Sequence, residues 1–192
     1  MSFCPVYIPV GVPTFHLESA QDQFERSCRM LRGVNADFVC PDEMLLSIDS
    51  LRAYLADKHP DLVVFQNLTF ANAAYMSEVL RRFDCPLLLW TLREPVIDGG
   101  RLRLNSLTGA YSAANTLRAF DDRPFSYAFG APEEEKVVRA AKAAVEAAKN
   151  PRKGGGAPST PAAMERPPHK SHSRSRRSRG RGTAGGEKRP ET

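Results

Sequence analysis

Residues 61–66 read DLVVFQ, and residues 86–90 read PLLLW. Each is an unbroken apolar run of strand length, the pattern of a strand covered on both faces rather than one with a wet side. Asn72 to Phe83 lies between them and is read as a helix. A strand, a helix and a second strand in that order form a parallel crossover unit, because parallel neighbours need a connection of a dozen residues or more.

The same alternation extends in both directions. Upstream, Val6 to Val10 (VYIPV) is a short strand ended by Gly11 and Pro13, and Glu18 to Leu31 carries Ala20, Phe24, Cys28 and Leu31 at the spacing of one helical stripe. Phe38 to Cys40 is read as another strand, and Met44 to Leu55 as a helix that Asp42 or Ser47 can cap. Downstream follow a helix at Leu107 to Phe120, which Asn105 or Ser106 can cap, a strand at Ser126 to Phe129, and a helix at Glu133 to Lys149. That last helix has acids at its start and Lys149 at its end, as the macrodipole favours. Five strand and helix pairs predict an α/β fold: an open parallel five-stranded sheet with helices on both faces, Rossmann/flavodoxin-like, in the strand order 2-1-3-4-5. Open sheets of this kind take ligands at the carboxyl ends of their strands, which points to the loops after Val10, Gln66 and Trp90.

Charge divides the chain of 192 residues in two. Residues 1–149 hold 16 Lys and Arg against 19 Asp and Glu, whereas residues 150–192 hold 11 against 3. The overall charge of +5 therefore describes the end of the chain and not the body. The last 43 residues contain no Val, Ile, Leu, Phe, Tyr, Trp or Cys. Met164 is their only large apolar side chain, too little to offset a backbone ordering cost of ~1–2 kcal/mol per residue. The expected organisation is a domain over 1–149 and a disordered basic tail over 150–192. No apolar run approaches the ~20 residues of a membrane span, and no leader pattern opens the chain, so a cytoplasmic protein without a membrane partner is expected. Cys4, Cys28, Cys40 and Cys85 show no metal or redox spacing and are expected to be buried thiols.

Several chemistries find no support. Gly11, Val12, Pro13 and Thr14 stand where a dinucleotide fingerprint would need a glycine-rich turn, and no phosphate-binding loop motif occurs. The body has two histidines, His16 and His59; His59 precedes Pro60 at a helix end, while His16 follows the first strand and could either reach a ligand or bond locally. The most informative stretch is residues 86–109. Trp90 ends a strand there and could serve as a pocket wall or as a core residue, and Glu94, Asn105 and Ser106 are polar groups of the same crossover. An aromatic wall with a few fixed polar groups is how polyhydroxylated ligands are held. These four residues are the candidate substrate-binding rim, although Asn105 and Ser106 could equally be helix caps.

The segment LLLWTLREPVIDGGRLRLNSLTG, preceded by DLVVFQNLTFANAA and followed by FSYAFGAPEEEKV, resembles the amino-terminal domain of the L-fucose isomerase and L-arabinose isomerase superfamily, above all its L-fucose isomerase-like branch. The match covers residues 5–149. It implies an oligomeric aldose-ketose isomerase that uses Mn²⁺, with metal ligands in later domains; the amino-terminal domain builds the oligomer and lends groups, among them a tryptophan like Trp90, to a neighbour's sugar pocket. This chain is then expected to carry no cofactor or catalytic residue of its own, to be a truncated form inactive alone, and to meet a sugar only in a full-length context. It departs from the family where GVPTFH stands for a segment like G-R-P-T-F-D, replacing an arginine near Val12 and an acid near His16. Loss of a guanidinium removes a fork of donors that valine cannot supply, which implies altered sugar specificity.

The tail departs altogether. SHSRSRRSRGRG resembles an Arg/Ser or Arg/Gly segment of nucleic-acid-binding proteins, and such an arm could neutralise phosphates. The other source of such a segment is translation out of frame beyond residue 149. Three readings stand together: an isomerase-derived domain, a non-catalytic module that homo-oligomerises or docks onto intact isomerase subunits, and a nucleic-acid-associated protein acting through its tail.

Overall fold

The structure is a computed structural model and describes residues 3–120 and 125–150. The strands are β1 (Pro5–Val10), β2 (Leu62–Asn67), β3 (Leu87–Thr91) and β4 (Ser126–Phe129). The helices are α1 (Leu17–Val34), α2 (Ile48–Leu55), α3 (Ala73–Arg82), α4 (Ser106–Phe120) and α5 (Glu135–Lys149). All the strands pair in parallel, in the order β1-β2-β3-β4. The tail expected from residue 150 onward falls, beyond Asn150, outside the described residues.

Among the described residues the sheet has four strands rather than five. Residues 38–40 touch the outer edge of β1 in the place expected for a fifth strand, but only through an isolated bridge between Val39 and Val6. There Tyr7 N–H donates to the Val39 carbonyl and Val39 N–H to the Pro5 carbonyl, both at 2.9 Å. Pro41 has no N–H to continue the ladder, and the chain next meets β1 at a second bridge, Leu45 to Val10. Met44 and Leu45, expected to open a helix, are used at that edge, and α2 begins at Ile48 behind Ser47. The Ser47 and Ser50 side chains each accept the other's backbone N–H, at 3.0 and 3.1 Å.

Side-chain alternation along the strands builds two cores. Val6, Ile8, Val10, Val63, Phe65, Leu87 and Leu89 point to the layer of α2, α3 and α4. Tyr7, Val64, Leu88 and Trp90 point to the layer of α1 and α5. Every residue of β1, β2 and β3 is buried, which is why their sequences are continuous apolar runs. One polar chain crosses the second core: the Tyr7 hydroxyl donates to Gln66 Oε1, and Gln66 Nε2 donates to Ser27 Oγ at 3.1 Å. Burial pushes the Tyr7 phenol well above its ordinary pKa, so it stays a donor. Cys28 and Cys40 meet in the same core; the hydrogen bond between them and burial push the Cys28 thiol up.

Candidate functional site

The carboxyl ends of β1, β2 and β3 lie under one assembly of loops. The long connection from β3 to α4 folds back over the end of β2 to reach the loop after β1. Phe70 N–H donates to the Leu104 carbonyl at 2.9 Å, and His16 N–H donates to the Arg103 carbonyl at 3.0 Å. Glu94 holds this return in place. Its carboxylate accepts the backbone N–H groups of Arg103 (3.0 Å), Leu104 (3.2 Å) and Asn105. These N–H groups belong to the three residues just ahead of α4, so the carboxylate pins the returning loop and sits at the favourable end of the helix dipole.

Asn105 and Ser106 occupy that entry. Asn105 has a positive φ of 51°, a conformation Asn tolerates better than most residues, and its Oδ1 accepts from Thr108 Oγ1 at 2.7 Å. Ser106 is buried; its hydroxyl donates to the Asn67 carbonyl and accepts Leu92 N–H at 2.9 Å. One side chain thus joins the end of β2, the end of β3 and the start of α4. Beside it, the register partners Asn67 and Thr91 are fully buried, and the Asn67 amide and Thr91 hydroxyl have no partner among the described residues.

Glu94, Asn105 and Ser106 are therefore brought together, and Trp90 is not among them. Trp90 has no exposed surface: its ring packs in the α1 and α5 core, and its indole N–H donates to the Gly130 carbonyl at 3.1 Å. Of the two readings open for Trp90, pocket wall and core, the structure places it in the core. Gly130, at φ 147°, also sits against the Glu134 carboxyl group, where an added Cβ would come within 2.7 Å. The Ala131 N–H, then Lys136 and Arg93, hold the Glu134 carboxyl at a pKa of about 2.

The accessible part of this edge lies between the β1 and β3 loops. A cleft of about 370 Å³ is lined by Thr14, Phe15, His16, Arg101, Leu102 and Arg103. A second, of about 270 Å³, shares His16 and Arg103 and is bordered by Glu18, Ser19, Asp22, Gln23 and Pro95. His16 caps α1: its Nδ1 accepts Ser19 N–H at 3.2 Å and lies 2.9 Å from Ser19 Oγ. It bonds locally and lines both clefts, so its two readings coexist. Arg101 donates to the Thr14 carbonyl at 3.1 Å and stands 5.3 Å from the centre of the Phe15 ring. The Arg103 guanidinium has no partner among the described residues, although its backbone is held at both ends by Glu94 and His16. Sequence reasoning passed over both arginines; their signal was the alternation in GGRLRLN, two cations on a loop leading into a capped helix.

Among the described residues no three His, Cys, Asp or Glu side chains converge as a metal site would require. The Mn²⁺ implied by the resemblance thus has no ligand set there, and no step is assigned to it. No helix among the described residues is long and apolar enough to cross a membrane.

No family model matches the chain. Among curated proteins it is 64% identical over 132 residues to the sulfoquinovose isomerase of Clostridium sp. (strain MSTE9), covering 69% of this chain and 30% of that protein. It is 37% identical over 135 residues to the sulfoquinovose isomerase of Priestia megaterium (strain ATCC 12872 / QMB1551), with the same coverage of both chains, and 37% identical over 134 residues to that of Alkalicoccus urumqiensis. This chain is a homologue of sulfoquinovose isomerases that spans about 30% of their length.

Proposed function

We propose that residues 3–149 form a domain of an aldose-ketose isomerase of the L-fucose isomerase-like kind, acting on a sulfonated hexose. The observation that carries this reading is 64% identity, over 132 residues, to a protein named sulfoquinovose isomerase. Interconversion of an aldose and a ketose moves protons between adjacent carbons and their oxygens. This domain's part in it is to bind and orient, through the loops at the carboxyl edge of its sheet. The metal and the proton-transfer groups belong, in this reading, to other domains of such enzymes.

A chimera tests it. The matched 132 residues of the Clostridium sp. relative are replaced by those of this chain, and ketose formation from sulfoquinovose is followed. Turnover within about tenfold of the parent is the expected result, since sequences this similar share a fold and its contacts. A chimera with the parent's helix content and oligomeric state but without turnover would overturn the reading.

An assembly role draws on a separate observation, the exposure of Ile97, Tyr111 and Phe120 at 82, 67 and 48%. Co-purification of this chain with the intact relative is its expected result; separate elution at micromolar concentrations would count against it.

A further inference from the structure

We infer that the paired clefts between the β1 and β3 loops bind an anionic sugar end-on, with Arg101 and Arg103 receiving a sulfonate and the second cleft receiving hydroxyls. The inference deepens the isomerase reading and rests on it for the identity of the ligand.

The argument starts from how differently the two clefts are equipped. The charged groups of the larger one are Arg101 and Arg103, beside the His16 imidazole, with no carboxylate among its lining residues. Of the two acids in the same connection, Asp98 accepts Gly100 N–H at 2.9 Å and Glu94 accepts three backbone N–H groups. The smaller cleft holds Glu18, Asp22, Ser19 and Gln23, residue types that pair with hydroxyls. Asp22 already takes Arg26 at 2.9 Å and Gln23 Nε2 at 3.2 Å, and Ser19 Oγ lies 2.9 Å from His16 Nδ1, each keeping further lone pairs or donors for a ligand. Arg103 and His16 border both, so a ligand with an anion at one end and hydroxyls along its body meets suitable partners throughout.

Arg103 is poised for such a ligand. Its backbone carbonyl takes His16 N–H, and its own N–H is held by Glu94, yet its guanidinium is unpaired among the described residues. A fixed, half-buried arginine with free donors matches the planar, multidentate geometry that sulfonates and phosphates accept. Arg101 is pre-set by the Thr14 carbonyl and the Phe15 ring and keeps further donors free. His16 adds a donor: because Nδ1 accepts Ser19 N–H, the proton of a neutral ring resides on Nε2. The acid next door decides between anions. Asp22 is neutralised by Arg26 at 2.9 Å, but Glu18 has no such partner among the described residues. A phosphate carries close to two charges at neutral pH and a sulfonate one, so Glu18 penalises the phosphate more.

The test uses the full 192-residue chain in calorimetric titrations with sulfoquinovose, glucose 6-phosphate and glucose, on the wild type and on Arg103→Gln, Arg101→Gln and Arg139→Gln. All four proteins keep the basic tail, so its attraction for anions is common to them. Sulfoquinovose is expected to bind at least about tenfold more tightly than glucose, and more tightly than glucose 6-phosphate. R103Q and R101Q are each expected to cut the preference over glucose to within about threefold, while R139Q, on the exposed face of α5, leaves it intact. Because neither cleft arginine supports the core, unchanged melting temperatures accompany the losses.

No preference over glucose, or a preference that survives in both R103Q and R101Q, would overturn the inference. Tighter binding of glucose 6-phosphate would overturn the sulfonate assignment. The two proposals fail separately: a chimera active on sulfoquinovose, alongside a preference that survives in both R103Q and R101Q, removes this one alone, whereas a folded, inactive chimera removes the isomerase reading.

Discussion

Ser106 is the residue on which the carboxyl edge of the sheet converges, because one hydroxyl serves as donor to the Asn67 carbonyl and acceptor for Leu92 N–H inside a dry site. Ser106→Ala leaves both backbone groups buried without a partner, at an expected cost of about 1–3 kcal/mol. Urea unfolding of the variant measures it; a loss under a few tenths would show that another group takes over both bonds. As a candidate, Ser106 was legible from its place ahead of an apolar helix; Asn105, expected there as a cap, takes the Thr108 hydroxyl on its Oδ1. The bonds of Ser106 to the ends of β2 and β3 were not legible, since they depend on which loop folds over which strand end. The role of Glu94 was hidden for the same reason: a carboxylate twelve residues before a helix gives no sign in sequence that it will accept the N–H groups leading into that helix. Trp90 was ambiguous for a different cause. A strand buried on both faces has no alternation of apolar and polar residues, so parity cannot tell a core position from a pocket wall.

At the scale of elements, α4 shows how tightly the sheet edge is closed. Gly109 lies one turn into the helix, where an added Cβ would come within 2.6 Å of Asn67 Nδ2 and 3.0 Å of the Ala71 nitrogen. Alanine is intrinsically better in a helix than glycine by ~1 kcal/mol. The contact reverses that preference: Gly109→Ala is expected to destabilise by about 1–3 kcal/mol, because α4 must move off β2 to admit the methyl group. Asn67→Ala removes the obstructing amide, so the double variant is expected to lose less than the sum of the two singles. Thermal or urea unfolding of the four proteins reads the coupling, and a stabilised G109A would refute the close approach. The elements themselves were largely legible because their periodicity was strong. β2, β3 and β4 lie where the apolar runs put them, and every helix follows its expected stripe to within a few residues. The exception, residues 38–40, has the composition of a strand, but Pro41 cuts its ladder to one bridge. The spatial order was still as expected, with that segment outside β1 and the remaining strands following in sequence.

For the whole molecule, the division of charge and the division of core coincide. The buried apolar side chains among the described residues run from Val6 to Val145, in two layers closed by α4 on one side and α5 on the other. The similarity to the sulfoquinovose isomerases accounts for 69% of the chain, about as much as these layers need. Residues 151–192 contribute one large apolar side chain, Met164, and carry 11 Lys and Arg against 3 Asp and Glu. A chain ending at Asn150 retains every helix and strand described and changes its formal charge from +5 to −3. Its urea midpoint and m-value are expected to match those of the full chain, the m-value because it scales with the surface exposed on unfolding. Binding to single-stranded RNA at low salt, if the full chain shows it, is expected to disappear with the tail, because that is where the excess cations are. A lower midpoint together with a smaller m-value would mean that residues beyond 150 pack against the body, and the two-layer core would then be incomplete without them. Equal midpoints with RNA binding retained would instead move the nucleic-acid surface onto the body, where Arg101 and Arg103 would be the first cations to test.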